Sequence, residues 1–412
     1  MMNQDLRTHA DAIIRSSLRA VLPDEAVKRA LSGRTFPGRV VLVAAGKAAW
    51  QMARAAYDCL GPRIDAGAVV TKYGHVKGPI GNFLCCEGGH PVPDENSFAG
   101  TEKALSLVRD LTKQDTVLFL LSGGGSALFE KPLVPGAVLQ DLTDQFLACG
   151  ADIVEINTIR KRLSAVKGGR FAQLCAPAQV FSIVLSDILG DPLDMIASGP
   201  AAQDSSTCAQ AWAVVRKYHL RLTPETEALL RQETPRALDN VTACVTGSVR
   251  QLCAAAAEQC RALGYEPILL TDRLCCEARE AGSFLASILR THADSNRSLA
   301  FLAGGETVVH LTGSGLGGRN QELALAAAAG LDGLAGAAVF SVGSDGTDGP
   351  TDAAGGYADG GTAAALREQG IQLDHVLRSN DAYHALEKTG GLIITGPTGT
   401  NVNDVAVALL QR

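Results

Sequence analysis

Thr116–Ala127, TVLFLLSGGGSA, joins two signals without a break. Val117 to Leu121 form an apolar run between Asp115 and Ser122, the pattern of a strand buried on both faces of a parallel sheet. Ser122-Gly123-Gly124-Gly125-Ser126 follows at once. Three glycines where a strand ends let the backbone turn its N–H groups toward an anion, so a phosphate fits there. A plain strand-to-helix turn accounts for the same five residues, and the pentapeptide alone does not separate the two.

The same arrangement recurs on either side. Val40 to Ala45 reads as a strand, and Gly46-Lys47-Ala48 leads from it into a helix through Trp50, Met52, Ala56 and Leu60. Val180 to Leu185 is another buried strand, ending in Ser186-Asp187. A lysine, a glycine loop and a carboxylate therefore each stand just past a strand, where open α/β sheets place their ligands. Three such tips are expected to converge on one crevice, a coincidence that weighs more than any one of them. Ala68 to Thr71 and Phe83 to Cys86 add short strands, and Asp94 is placed to cap a helix running to about Leu111. His90 could serve as a ligand or an acid, but it reads more readily as a polar loop residue, because no carboxylate or second histidine stands near it in sequence. Asn157 to Leu174 carries Arg160, Lys161, Arg162 and Lys167 ahead of Gly168-Gly169, a basic run that on a helix is ordinarily a solvated face.

At 412 residues the chain has room for two or three domains, each with its own core. Apolar residues make up 46% and charged ones 19%, which reads as soluble and globular, and a net charge of −6 argues against a nucleic-acid surface. The N-terminus has Asp5 and Arg7 where a signal peptide needs an apolar core, and no apolar run approaches the ~18 residues of a membrane span. The 11 cysteines are odd in number and lack C-x-x-C spacing, so reduced, mostly buried thiols in a cytoplasm are expected. The composition leaves room for a homodimer without setting the oligomeric state.

Leu6, Ile13, Ile14, Leu18 and Val21 recur at helical spacing and predict an amphipathic first helix. Thr223-Pro224 and Thr234-Pro235 punctuate a stretch without strand signal, which predicts a boundary near Asn240 and domains over 1–240 and 241–412. A second alternation then begins with Val241 to Thr246, a helix from Val249 to Leu263 and the strand Pro267 to Leu270. Leu299 to Ala303 and Thr307 to Leu311 flank Gly304-Gly305-Glu306, which predicts a hairpin. Gly313-Ser-Gly315-Leu-Gly317-Gly318 has the spacing of a dinucleotide fingerprint, but it follows that hairpin and lacks the acidic residue that should close a second parallel strand. It still reads as an anion loop, with Arg319 placed to grip a carboxylate or phosphate in bidentate fashion. Asp345, Asp348 and Asp352 fall within eight residues and would repel one another unless a cation sat among them, with Mg²⁺ favoured over Ca²⁺ because the spacing is not that of an EF-hand.

Taken in order, Ala45-Gly46-Lys47-Ala48, Gly89-His90-Pro91, Ser122 to Ser126, Asn157 with Arg160 and Lys167-Gly168-Gly169, Ser186-Asp187 with Ala197 to Pro200, Gly305-Glu306, Gly317 to Glu322, Asp345 to Asp352 and Thr395 to Asp404 resemble the glycerate 2-kinase family, the two-domain kinases often labelled hydroxypyruvate reductases. The resemblance covers nearly the whole chain. It implies two three-layer α/β/α domains, the first with a mainly parallel sheet and the second, MOFRL-type, with a mixed one. It also implies an active site between them, with transfer of the ATP γ-phosphoryl group to the 2-hydroxyl of D-glycerate and Lys47, Asp187 and Arg319 at its centre. Arg162, Leu316 and Cys276 depart from the family pattern, which has His, Arg and Gly there.

Phosphoryl transfer needs positioning and charge neutralisation more than covalent chemistry. On this reading Ser122, Gly123, Gly124, Gly125 and Ser126, with Asn157 and Lys167, hold ATP, and Lys47 bridges the transferring group. Arg160 or Arg319 takes the substrate carboxylate. Asp187 either holds Mg²⁺ or accepts the hydroxyl proton, and Glu306 and Asp345 are the next metal candidates, ahead of Asp348 and Asp352. An NAD(P)H-dependent hydroxypyruvate reductase and a catalytically silent sugar-acid or nucleotide-binding protein are the competing readings.

Overall fold

The computed structural model describes residues 3–412. The chain forms two compact units, one of Ala26–Thr246 and one of Gly247–Arg412 joined by the N-terminal segment that ends at Glu25. This differs from the expected division at Asn240. The strand at 241–247 adds to the first sheet instead of opening the second, and the first helix packs in the second unit.

The Ala26–Thr246 unit is built on a six-stranded sheet: β1 (Val40–Ala45), β2 (Ala66–Lys72), β3 (Leu84–Gly88), β4 (Thr116–Leu121), β5 (Gln179–Leu185) and β6 (Val241–Gly247). They lie in the order β3-β2-β1-β4-β5-β6, with parallel ladders from β3 through β5. The run at 117–121 is continuously apolar because β4 is central and covered on both faces. Leu118 and Leu120 join Leu42 and Ala44 in one core, and Val117, Phe119 and Leu121 join Val41 and Val43 in the other. That strand order reverses direction between β1 and β4, the kind of switch point at which open α/β sheets bind ligands, outside the carboxyl ends of their strands.

The basic run at 160–162 is no solvated face. Lys161 and Arg162 are buried, Lys161 on Asp204 at 2.9 Å and Asp194 at 3.3 Å, and Arg162 on the Thr158 carbonyl, Ser206 and Glu233. The acids that make this burial tolerable lie 33 to 71 residues further along the chain.

The second unit carries β7 (Glu266–Leu274), β8 (Leu299–Gly305), β9 (Ala337–Gly343), β10 (Gly355–Asp359), β11 (Leu392–Ile393) and β12 (Asp404–Leu410), in the order β11-β10-β9-β12-β8-β7. This sheet is mixed: β12 runs antiparallel to β8 and β9, while β7 and β8 are parallel. The hairpin expected across Gly304-Gly305 does not form. Both edges of β8 are already taken by β7 and β12, and residues 307–311 make only a single bridge, Val308 to Glu277. The helix Gln4–Ala20 lies on the helix Val249–Ala262 of this unit, burying Leu6, Ala10, Ile13, Ile14 and Leu18.

Candidate active site

Parallel pairing of β1 with β4 and of β4 with β5 brings the three strand tips of the first unit together. The Lys47 N–H donates to the Gly123 carbonyl at 2.9 Å, and the Ala48 N–H donates to Ser122 Oγ at 3.1 Å. Ser122 is buried, and its hydroxyl oxygen serves the β1–β4 junction. Next to it, a Cβ on Gly123 would lie 2.2 Å from Asp187 Oδ2, so only glycine lets the loop pass this carboxylate. Gly124 is left-handed at φ +84°, and a Cβ there would lie 3.0 Å from His90 Nε2 and 3.1 Å from Lys47 Cγ. Lys47, the Gly123-Gly124 turn, Asp187 and His90 thus surround one point at the β1/β4 switch. The Lys47 side chain is exposed. Among the described residues no acceptor takes the Gly123 or Gly124 N–H, which leaves two amides for a ligand.

His90 is the member that sequence reasoning passed over, since its neighbours come from residues 47 and 124. Burial lowers its pKa from the usual histidine value, and the charges of Lys47, Lys72 and His75 push the same way, favouring the neutral ring.

Behind the glycine loop stands a buried polar layer. Lys167 is fully buried and gives its three donors to the carbonyls of Ser126 (2.8 Å) and Phe129 (3.1 Å) and to Glu130 Oε2 (3.0 Å). With every donor committed, Lys167 braces the turn that carries Ser126 and has none left for a phosphate. Asn157 Oδ1 accepts from Ser198 Oγ at 2.8 Å, and Ser198 Oγ lies 3.1 Å from Ser126 Oγ. Arg160 donates to Thr143 Oγ1 at 3.1 Å, its pKa lowered by burial and raised in part by Glu130. The Arg162 departure from the family pattern falls at a buried guanidinium that meets buried Ser206 and exposed Glu233.

In the second unit Arg319 opens the helix Arg319–Leu331. Its Nε and Nη2 bind Asp404 at 2.5 and 3.0 Å, and its Nη1 binds Glu306 Oε1 at 3.0 Å. Burial works against the charge, but Asp404 and Glu306 raise the pKa above its usual value. The bidentate grip expected of Arg319 is therefore made to Asp404, and Glu306, expected on a metal, is its ion-pair partner. The three aspartates of 345–352, expected around one cation, are engaged separately. Asp345 accepts from the Thr347 N–H, Asp348 from the Gln321 and Asn320 amides at the helix start, and Asp352 from Tyr383 Oη. Among the described residues no group of three or more His, Cys, Asp or Glu side chains is arranged to hold a metal ion. In the Gly313 loop, expected to take an anion, three amides are used within the protein: Gly313 N donates to Asn380, Gly315 N to the Ser379 carbonyl and Leu316 N to Asp381.

Residues 9–231 match the family described as a domain of unknown function, DUF4147, and residues 299–404 match the MOFRL family. The chain is 52% identical to D-glycerate 2-kinase of Thermotoga maritima, covering 99% of each. It is 39% identical to glycerate 2-kinase of Pyrococcus horikoshii, covering 100% of this chain and 98% of that one. The crystal structure of glycerate kinase from Thermotoga maritima matches with a TM-score of 0.94 at 51% identity, over 99% of this chain and 100% of that one. Sheet order defines the class, an α/β protein whose first sheet has a strand-switch point of the kind that binds ligands. Within that class, the chain belongs to the glycerate 2-kinase family.

Proposed function

We infer that the chain is an ATP-dependent glycerate 2-kinase, moving the γ-phosphoryl group to the 2-hydroxyl of D-glycerate and giving 2-phospho-D-glycerate and ADP. Beyond the family, the observation that carries this is the meeting of Lys47, the Gly123-Gly124 amides and Asp187 at one strand switch. The two amides cradle phosphate oxygens, and the Lys47 ammonium neutralises charge on the transferring group. Asp187 accepts the proton of the attacking hydroxyl or holds a divalent cation. Mg²⁺ is bound in kinases by one or two carboxylates plus the substrate phosphates, and Asp187, beside the Gly123-Gly124 turn, is placed to be one of them. When bound, that ion offsets the negative charge of the phosphates. Arg160, half-buried with one hydrogen bond to the neutral Thr143 hydroxyl, is the candidate to take the glycerate carboxylate, since the Arg319 guanidinium is already paired with Asp404 and Glu306.

Phosphorus NMR of the product from D-glycerate and ATP tests the reading. The expected signal is that of 2-phosphoglycerate, and 3-phosphoglycerate or no product overturns it. The reductase reading has no support from the Gly313 loop, whose amides at Gly313, Gly315 and Leu316 are used within the protein. It predicts NAD(P)H oxidation by hydroxypyruvate without ATP, an absorbance change not expected of this chain.

A further inference from the structure

The hydroxyl of Ser126 has its proton direction fixed by the two residues behind it. Asn157 Oδ1 has no proton, so the 2.8 Å contact is a donation from Ser198 Oγ. A hydroxyl has one proton. With that proton on Asn157, Ser198 Oγ can only accept in its 3.1 Å contact with Ser126 Oγ. Ser126 is therefore the donor there, and its oxygen has only lone pairs left to offer a ligand. Ser198 is fully buried and Asn157 is 3% exposed, whereas Ser126 is half-exposed beside the glycine loop. An oxygen in that state cannot donate to a phosphate oxygen, which is itself only an acceptor. It can accept from an alcohol.

The framework holds Ser198 for this contact. Ala197, Ser198 and Gly199 are all left-handed, at φ +50°, +62° and +65°. The N–H groups of Gly168 and Gly169 donate to the Ser198 and Gly199 carbonyls at 3.0 and 2.7 Å. Consecutive left-handed residues of this kind persist where the surroundings over-determine them, and they concentrate at functional sites.

We propose that Ser126 is a specificity-determining residue whose hydroxyl oxygen accepts the O–H of the non-reacting 3-hydroxyl of the substrate alcohol, with Ser198 and Asn157 as positioning residues that hold its proton away. The proposal rests on the kinase reading. It chooses the 3-hydroxyl because the reacting one must face Lys47 and Asp187 at Gly123-Gly124, two residues before Ser126.

Kinetics with D-glycerate and with D-lactate, which lacks that hydroxyl, test it. Ser126→Ala is expected to lower kcat/KM for D-glycerate about tenfold, the loss of one neutral hydrogen bond. It should leave kcat/KM for D-lactate and KM for ATP within about twofold, because neither ligand uses that bond. Ser198→Gly, which suits a left-handed residue and removes the hydroxyl, should shift the same ratio in the same direction. Thermal unfolding of each variant checks that the fold is kept. A Ser126→Ala enzyme with raised KM for ATP, or with an unchanged preference for glycerate over lactate, overturns the proposal while the kinase reading stands. A wild-type chain that phosphorylates no glycerate overturns both.

Discussion

Lys47 and Lys167 are both lysines beside the glycine loop, and their surroundings give them opposite work. Lys47 is exposed at a strand tip, so its ammonium is available to a ligand and contributes little to folding. Lys47→Ala is expected to lower kcat a hundredfold or more, on the scale of losing one preorganised charge contact, with the unfolding midpoint unmoved. Steady-state kinetics showing near-normal turnover would remove it from the mechanism. Lys167 has no exposed surface, and its partner Glu130 is buried as well, with Oε1 already lacking a hydrogen bond. Lys167→Met strands that carboxylate, at a cost of about 3–5 kcal/mol in denaturant unfolding. Adding Glu130→Leu should return most of the loss, because a buried ion pair replaced whole by apolar groups is often neutral. If the single variant unfolds like the wild type, Lys167 does not brace the loop.

At the scale of elements, the helix Arg319–Leu331 shows how a carboxylate can serve structure where a metal was expected. Burial pushes the Asp348 carboxyl up to about 6, against the pull of the Gln321 and Asn320 amides it accepts at the helix start. Its unfolded value is the ordinary 3.8, so the folded chain binds the proton more tightly. The resulting contribution is fully present below about pH 4 and is lost as pH rises toward 6, a change of roughly 2–3 kcal/mol at most. Asp348→Asn, which keeps an acceptor oxygen, should flatten that part of the stability profile between pH 4 and 7 in urea titrations, and an unchanged slope would refute the assignment. Elements with a local cause were legible from sequence. Val40–Ala45 was expected at its observed bounds, and Val180–Leu185 fell one residue short, since buried central strands declare themselves as apolar runs. Elements with a distant cause were not. Gly355–Asp359 is a strand only because β9 and β11 flank it, and Lys161 and Arg162 are interior only because Asp204 and Glu233 arrive later in the chain. The candidate site divides the same way: the residues at 47, 122–126 and 187 follow from strand ends, while His90 and Ser198 reach it only through the folded arrangement of distant loops.

For the whole molecule, the consequential feature is that chain order and unit membership disagree. The helix Gln4–Ala20 is amphipathic in sequence, but amphipathicity does not say which core it covers. Its partners are in the last third of the chain and just past residue 246: Arg7 donates to the Gly390 and Leu392 carbonyls, His9 meets Tyr265 Oη at 2.8 Å, and the Asn3 N–H donates to Asp359 at 2.7 Å. Five buried apolar side chains line its inner face, and each large one is worth about 1.5–3 kcal/mol. Their sum rivals the roughly 5–15 kcal/mol that holds a domain folded. Deleting residues 1–20 should therefore destabilise the Gly247–Arg412 unit and leave Ala26–Thr246, whose sheet and two cores lie wholly outside the deletion, able to fold. Calorimetry of the truncated chain should show one transition near its original temperature and the other lowered by more than about 5 °C or missing. A chain expressed from Ala26 to Thr246 should unfold cooperatively on its own. If the truncation instead melts the parallel sheet first, the N-terminal helix supports the unit that follows it in sequence, and the division of the chain into these two units is wrong.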